Sequence, residues 1–217
     1  MRPLRALSAS LSLIAAVLVP LSAQAAPALA KVGDPPVVIG NGIQRSLVAV
    51  TLPDVKFLRQ DGQNLNLRQA LDDGRPVLLN FTFTSCSAIC PVSAQVFAQV
   101  REKLGADRDK LHLVSVSIDA AFDTVPRLRE YVAKLGSGNN WSFFTGQEAD
   151  SISVQKAFGA YRGDKMNHVP VSYLRAAPGQ PWIRLDGLIG PDQLLGEVKA
   201  VLAAPRSAAP AVPATKG

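Results

Sequence analysis

Sulfur and imidazole are scarce in this 217-residue chain, which holds two cysteines, two methionines and two histidines. Two cysteines are too few for a disulfide-stapled scaffold. Charged residues are also sparse, 18% against 47% apolar, and that balance excludes a generally disordered chain. Gly and Pro number 16 each without a Gly-X-Y period, which excludes a collagen-like chain. No run of Lys or Arg interleaved with aromatics is present. The basic excess is 23 against 17 acidic residues, so nucleic-acid binding has no support beyond net charge. The longest apolar run, residues 11–21, is about half of the ~20 residues that span a bilayer.

That run belongs to a leader. Arg2 and Arg5 form a basic n-region, residues 11–21 an apolar h-region, and Ala23-Gln24-Ala25 a small-x-small cleavage site. This is the layout of a secretory signal peptide. No cysteine lies near the cleavage site, which excludes a lipoprotein anchor, and no stable membrane span is expected after cleavage. Residues 26–45, rich in Pro, Gly and Ala, read as an extended lead-in. Residues 204–217 form an Ala/Pro tail expected to be disordered. One domain over residues 46–203 remains.

Inside it the periods alternate. Residues 77–83 form an apolar β-rich run typical of a buried strand, and residues 111–118 form a second. Between them Val92, Val96, Val100 and Leu104 make a helical stripe over residues 91–104, closed by Gly105. Asp123-Thr124 can cap a helix running to Leu135, with Pro126 in its first turn. A short helix follows over 151–158, then strands over 169–174 and 182–185 and a final helix over 191–202. Trp141, Phe143 and Phe144 read as core, and Tyr161, Arg162 and Asp164 as a solvated loop. The order predicts an α/β domain with a mixed sheet flanked by helices, as in a thioredoxin-like fold.

The cysteines stand four apart, in Thr84-Ser85-Cys86-Ser87-Ala88-Ile89-Cys90-Pro91, between a strand and a helix. On a helical turn, i and i+4 share a face with about 5–6 Å between Cβ atoms. Two such sulfurs can bridge or grip one ion. A helix N-terminus stabilises thiolate, which is both nucleophile and metal ligand. A purely stabilising disulfide is disfavoured, because so short a loop removes little chain entropy. Structural zinc takes four protein ligands, and the whole chain holds two thiols and two imidazoles. Copper(I), being soft, is content with two thiolates and a third donor.

Spacing alone does not choose that donor. His112, inside the apolar strand, reads as a core histidine with a satisfied ring. His168, in Lys165-Met166-Asn167-His168-Val169-Pro170, sits in a polar loop entering a strand. Met166 offers a thioether but reads as filler.

Four segments, PVLLNFTFTSCSAICPVSAQVF, LVSVSIDAAFDTVPRLREYVAKLG, WSFFTG and MNHVPVSYLRAAPG, occur in an order that resembles the SCO/SenC family. The resemblance covers roughly residues 47–200. It implies a thioredoxin-like fold and a part in assembling the dinuclear copper-A centre of cytochrome c oxidase. The family's metal ligands fall on Cys86, Cys90 and His168. It further implies a periplasmic metallochaperone for Cu(I) or Cu(II), serving the copper-A subunit of the oxidase, with a thioredoxin-like reductant and a copper donor as further partners. The alternative is a thiol-disulfide oxidoreductase in which Cys86 attacks and Cys90 resolves, and a copper store is a third reading. The sequence departs from the family pattern in four places. Asp119-Ala120 replaces Asp-Pro, and Pro126 comes one residue late. Asn167 stands where the family commonly has Asp, and no membrane anchor is evident. The Val169-Pro170 bond lies where thioredoxin-like folds often hold a cis proline.

Overall fold

The computed structural model describes residues 30–136 and 138–204. The leader and the tail beyond Ala204 lie outside them. In chain order the described elements are strands β1 (Val37–Ile39), β2 (Ile43–Val48), β3 (Lys56–Arg59) and β4 (Asn64–Asn66), then helix α1 (Leu67–Leu71). Next come β5 (Val77–Thr82), α2 (Ile89–Leu104), β6 (His112–Ser117), α3 (Val125–Leu135), β7 (Trp141–Thr145) and α4 (Glu148–Ala157). Strands β8 (Val171–Arg175) and β9 (Trp182–Asp186) and helix α5 (Pro191–Ala203) complete the fold.

One sheet runs β1-β2-β9-β8-β5-β6-β7-β3-β4. Its centre is parallel, β5 beside β6 and β6 beside β7. β8 and β9 join antiparallel on the other side of β5. Alternation along β5 divides the core. Leu78 packs with α2, α3 and α5 on one face, whereas Val77, Leu79 and Phe81 pack with α1 and α4 on the other. Each such buried side chain contributes about 1.5–3 kcal/mol. Four in six residues outweigh any single loop hydrogen bond, so the C-terminal end of β5 is a fixed platform for the cysteine loop. Glycines close two of the helices on that first face: Gly105 (φ 55) ends α2 and Gly136 (φ 60) ends α3, both at positive φ and Gly136 in the left-handed helical region.

Several elements differ from the sequence reading. Within the lead-in, expected to be extended over 26–45, residues 37–39 and 43–45 are strand, but they are paired: β1 on β2, and β2 on β9. Residues 56–71 carry β3, β4 and α1, each three to five residues long, too short for a period to show. β7 is a strand, which explains why Trp141, Phe143 and Phe144 are all buried. α4 begins at Glu148, three residues before the expected start. The Val169–Pro170 peptide is trans, the default for X-Pro.

Candidate metal centre

β5 delivers the chain to the cysteines. The residues after it turn sharply, with Cys86 N–H donating to the Phe83 carbonyl (3.2 Å), and α2 starts at Ile89. Cys90 therefore lies in the first helical turn, and Cys86 lies in the loop ahead of it, outside the helix. The N-cap residue Ala88 has no capping side chain, and the Cys86 sulfur takes that role by accepting from the Cys90 N–H (3.4 Å). Both thiols are free.

This placement splits the pair. Burial pushes Cys86 up, but the Cys90 thiol and the amides of Cys90, Ala88 and Ile89 outweigh it, so Cys86 lies below the usual thiol range. Cys90, buried, is pushed up to about 12, first by desolvation and then by Cys86. Cys86 is the half-exposed, thiolate-prone member, as expected of an attacking thiol.

Pairing of β5 with β8 stops at Asn80 and Ser172. Thr82 turns its carbonyl to the β6 side, where Ile118 N–H takes it (2.9 Å). The alternate groups, the Phe81 carbonyl and the Phe83 amide, therefore face the open edge beyond β8. The His168 ring faces that carbonyl and the Cys90 sulfur faces that amide. Imidazole and thiol are thus each directed to a backbone group on the same strand edge, on residues two apart. Among the described residues, no three His, Cys, Asp or Glu side chains cluster tightly enough to hold an ion. The fold brings the two sulfurs together, and His168 does not join them in a three-ligand group. Two soft sulfurs and one nitrogen are a donor set that suits a soft ion.

The His168 loop is held from several sides. Met166 N–H donates to the Asp164 carboxylate (2.8 Å), and His168 N–H to the Lys165 carbonyl (3.1 Å). Lys165 Nζ reaches Asp119 Oδ2 (2.5 Å) and lies 5.7 Å from the Phe83 ring. The Lys165–Asp119 pair thus ties the histidine loop to the segment that follows β6. His168 is half-buried, and desolvation lowers its pKa, partly opposed by the Phe81 carbonyl. That favours the neutral imidazole a metal needs. The side chains of Met166 and Asn167 are exposed. Tyr161, Arg162 and Asp164, read from sequence as a solvated loop, wall a cleft of about 340 Å³ next to His168.

Two residues escaped the sequence reading. Asp123-Thr124 was expected to cap α3; Thr124 is the N-cap residue, without a side-chain bond, and the wholly buried Asp123 turns inward. Its carboxylate accepts from Thr84 N–H (3.1 Å), Thr84 Oγ1 (2.5 Å) and Ser117 Oγ (2.6 Å). Tyr131 on α3 holds a buried hydroxyl near Thr82 with no aligned hydrogen-bond partner. Such a group costs about 1–3 kcal/mol. The spacing of acid, leucine and tyrosine along this helix carried the only sequence signal for either residue.

His112 is no ligand. It is buried, with Nε2 2.9 Å from Ser142 Oγ and Nδ1 3.1 Å from Asp73 Oδ2, the latter off-axis for a hydrogen bond. The trio resembles a hydrolytic triad in composition, but neither described cleft reaches Ser142. Desolvation pushes His112 down to about 4, with Asp73 opposing. A lowered histidine pKa means the unfolded chain binds the proton first. The stability is present above pH 6.5 and is lost as pH falls toward 4, by about 3 kcal/mol in all. Urea midpoints should fall more steeply across this window in the wild type than in His112→Gln. Parallel slopes would remove His112 as the cause.

A dithiol carried on the first turn after a central parallel strand, facing a loop that enters an antiparallel one, places the protein in the thioredoxin-like class. The chain belongs to the SCO1/SenC family, whose model matches residues 49–203. It is 32% identical over 97 residues to the SCO1 protein homolog of Bacillus subtilis, a match covering 44% of this chain and 49% of that protein. This chain thus spans about half the length of that relative. The structure resembles copper-bound ScoI of Bradyrhizobium japonicum (TM-score 0.59, 22% identity), covering 70% of this chain and 99% of the other. It also resembles BsSco, described as a Sco-family cytochrome c oxidase assembly protein with a disulfide switch. There the TM-score is 0.60 at 25% identity, with 72% and 95% of the two chains covered.

Proposed function

We propose that this protein is a periplasmic copper metallochaperone that delivers copper to the copper-A centre of cytochrome c oxidase, holding it through Cys86, Cys90 and His168. The observation that carries the reading is the pair of free thiols held together just beyond β5, at the end of the sheet where the histidine loop enters β8. Membership of a family with copper-bound relatives supports copper as the cargo. Export is inferred from the leader, and no described helix is long and apolar enough to cross a membrane.

The chemistry of transfer follows from the donor set. Three protein donors leave an ion open on one side, so an acceptor thiolate can enter and replace them in turn. Oxidation to a Cys86–Cys90 disulfide releases two protons and two electrons to an oxidant and removes both thiolates, so redox state gates loading. A dithiol partner must restore the pair by thiol-disulfide exchange. The test is transfer of copper(I) from reduced protein to an apo copper-A domain. Transfer from reduced and not oxidised protein is expected, and no transfer from fully loaded protein would refute the delivery role. His168→Ala should weaken copper binding about 10–100-fold and change the Cu(II) spectrum. Full affinity in that variant would remove His168 from the ligand set.

A second reading rests on the split between the thiols. Cys86, thiolate-prone and half-exposed, can attack a partner's disulfide, and Cys90 can then displace the partner as a dithiol, leaving the Cys86–Cys90 disulfide. Reductase activity that survives both copper removal and His168→Ala would favour it.

A further inference from the structure

A second cleft, of about 410 Å³, lies at the opposite end of the sheet from the cysteines. Arg175, which lines it, pairs in the β5–β8 register with Val77, the first residue of β5. The cysteine loop leaves the other end of this six-residue strand, about 20 Å away along the sheet. Val50, Leu52, Pro181 and Trp182 are apolar members of the cleft wall. Its charged lining is Arg68, Asp72 and Arg175, two cations against one carboxylate.

Arg175 is a costly residue for this place. Its side chain is only 7% exposed, and its guanidinium lies over the Trp182 ring (4.6 Å to the centroid). Nη2 donates to the Leu71 carbonyl (2.8 Å) and to Asp72 Oδ1 (2.6 Å). Nε is buried without a partner, and Nη1 bonds to nothing among the described residues. A buried unpaired donor lowers stability, and an apolar side chain of similar volume would avoid that loss. Arg68 shares the cleft. Its Nη2 donates to the Leu52 carbonyl (2.9 Å), and among the described residues no carboxylate pairs with it. One guanidinium is thus buried and half-paired, and the other carries a charge that no described acid balances.

Guanidinium groups with spare N–H donors are receptors for oxyanions, because their planar forks match carboxylate and phosphate oxygens. Asp72 and the apolar wall decide between the two. A lining with one net positive charge balances a carboxylate and not a phosphate dianion. The aliphatic surfaces beside the arginines suit a ligand with an apolar body next to its charged end.

We infer that this cleft binds a small organic acid, its carboxylate held by Arg68 and Arg175 and its apolar body laid against Val50, Leu52 and Pro181. The site is independent of the cysteines and of copper.

Phenylacetate is the probe, titrated into reduced, metal-free protein and followed in proton–nitrogen correlation spectra. The indole signal of Trp182, beneath Arg175, and the amide signals of Leu52 and Arg68 should shift saturably. The indole signal of Trp141, which donates to Ser115 Oγ (3.0 Å) and packs on the other face of the sheet, should stay in place. Phenylacetamide keeps the body and lacks the charge, and inorganic phosphate keeps a charge and lacks the body. Each should bind at least about tenfold more weakly than phenylacetate. Arg68→Gln changes an exposed side chain, so it should fold as the wild type does and lose about tenfold in phenylacetate affinity. Arg175→Lys keeps the charge and loses the fork, and it should weaken binding likewise. Phenylacetamide binding as tightly as phenylacetate, or phosphate binding more tightly, would overturn the carboxylate assignment. No saturable shift with phenylacetate, or full affinity in Arg68→Gln, would overturn the site.

Discussion

Cys86→Ser and Cys90→Ser are each expected to abolish tight copper(I) binding, where the reduced wild type takes up one copper per chain. A serine hydroxyl stays protonated and is a hard donor, so neither variant keeps two thiolates for a soft ion. The two should differ in a second property. In Cys90→Ser the helix amides still point at Cys86, and a serine hydroxyl can replace the Cys90 thiol as donor to its sulfur. Cys86 should then alkylate quickly at neutral pH. In Cys86→Ser the remaining thiol stays buried, and desolvation, the largest cause of its raised pKa, persists, so it should react at least about tenfold more slowly. Iodoacetamide labelling followed by mass spectrometry reads both rates. Equal rates would mean that the helix N-terminus does not distinguish the sulfurs. Retention of tight copper binding in either variant would end the dithiol site.

That asymmetry was only half legible in the sequence. The spacing of the cysteines ahead of Pro91 predicted a helix N-terminus and a shared face. It did not predict that the helix begins at Ile89 and takes in Cys90, or that Cys86 caps it with sulfur. Capping geometry depends on backbone angles at Ala88 (φ −114, ψ −92), and no residue type in the loop signals them. The central strands were legible because β5 and β6 are buried on both faces and read as continuous apolar runs. β3, β4 and α1 were not, since Phe57, Leu65, Leu67 and Leu71 fall in elements shorter than two periods. His168 shows a different limit. Nothing local marks it, and its loop comes to the cysteine end of the sheet because β8 runs antiparallel to β5 and begins where the cysteine loop leaves. Such an approach of segments 78 residues apart along the chain is set by sheet order. Only the ordered set of family segments carried that information in the sequence.

Asp123 has the largest expected effect on stability. Its carboxylate is wholly buried and serves three donors, the Thr84 amide and hydroxyl and the Ser117 hydroxyl. Asp123→Ala removes the acceptor for all three. Ser117 Oγ keeps a bond from Asp119 N–H (3.0 Å), and Thr84 is part-exposed, so water reaches some of the loss. At about 1–3 kcal/mol per buried unpaired group, a destabilisation of about 4 kcal/mol follows. For a domain of this size that lowers the melting temperature by about 10 °C. Asp123→Asn keeps the shape and part of the acceptor capacity but strands an amide N–H₂, so about half that loss is expected. The consequence for the site is separate. Thr84 stands two residues before Cys86, and releasing it loosens the turn that holds the sulfur over the helix amides. Copper affinity in Asp123→Ala should therefore fall even at temperatures where the variant is fully folded. Ser117→Ala, which removes a donor without freeing Thr84, should cost less stability and leave copper affinity unchanged. Equal copper affinities in Asp123→Ala and the wild type would show that β5 and α2 hold the dithiol geometry without help from this carboxylate.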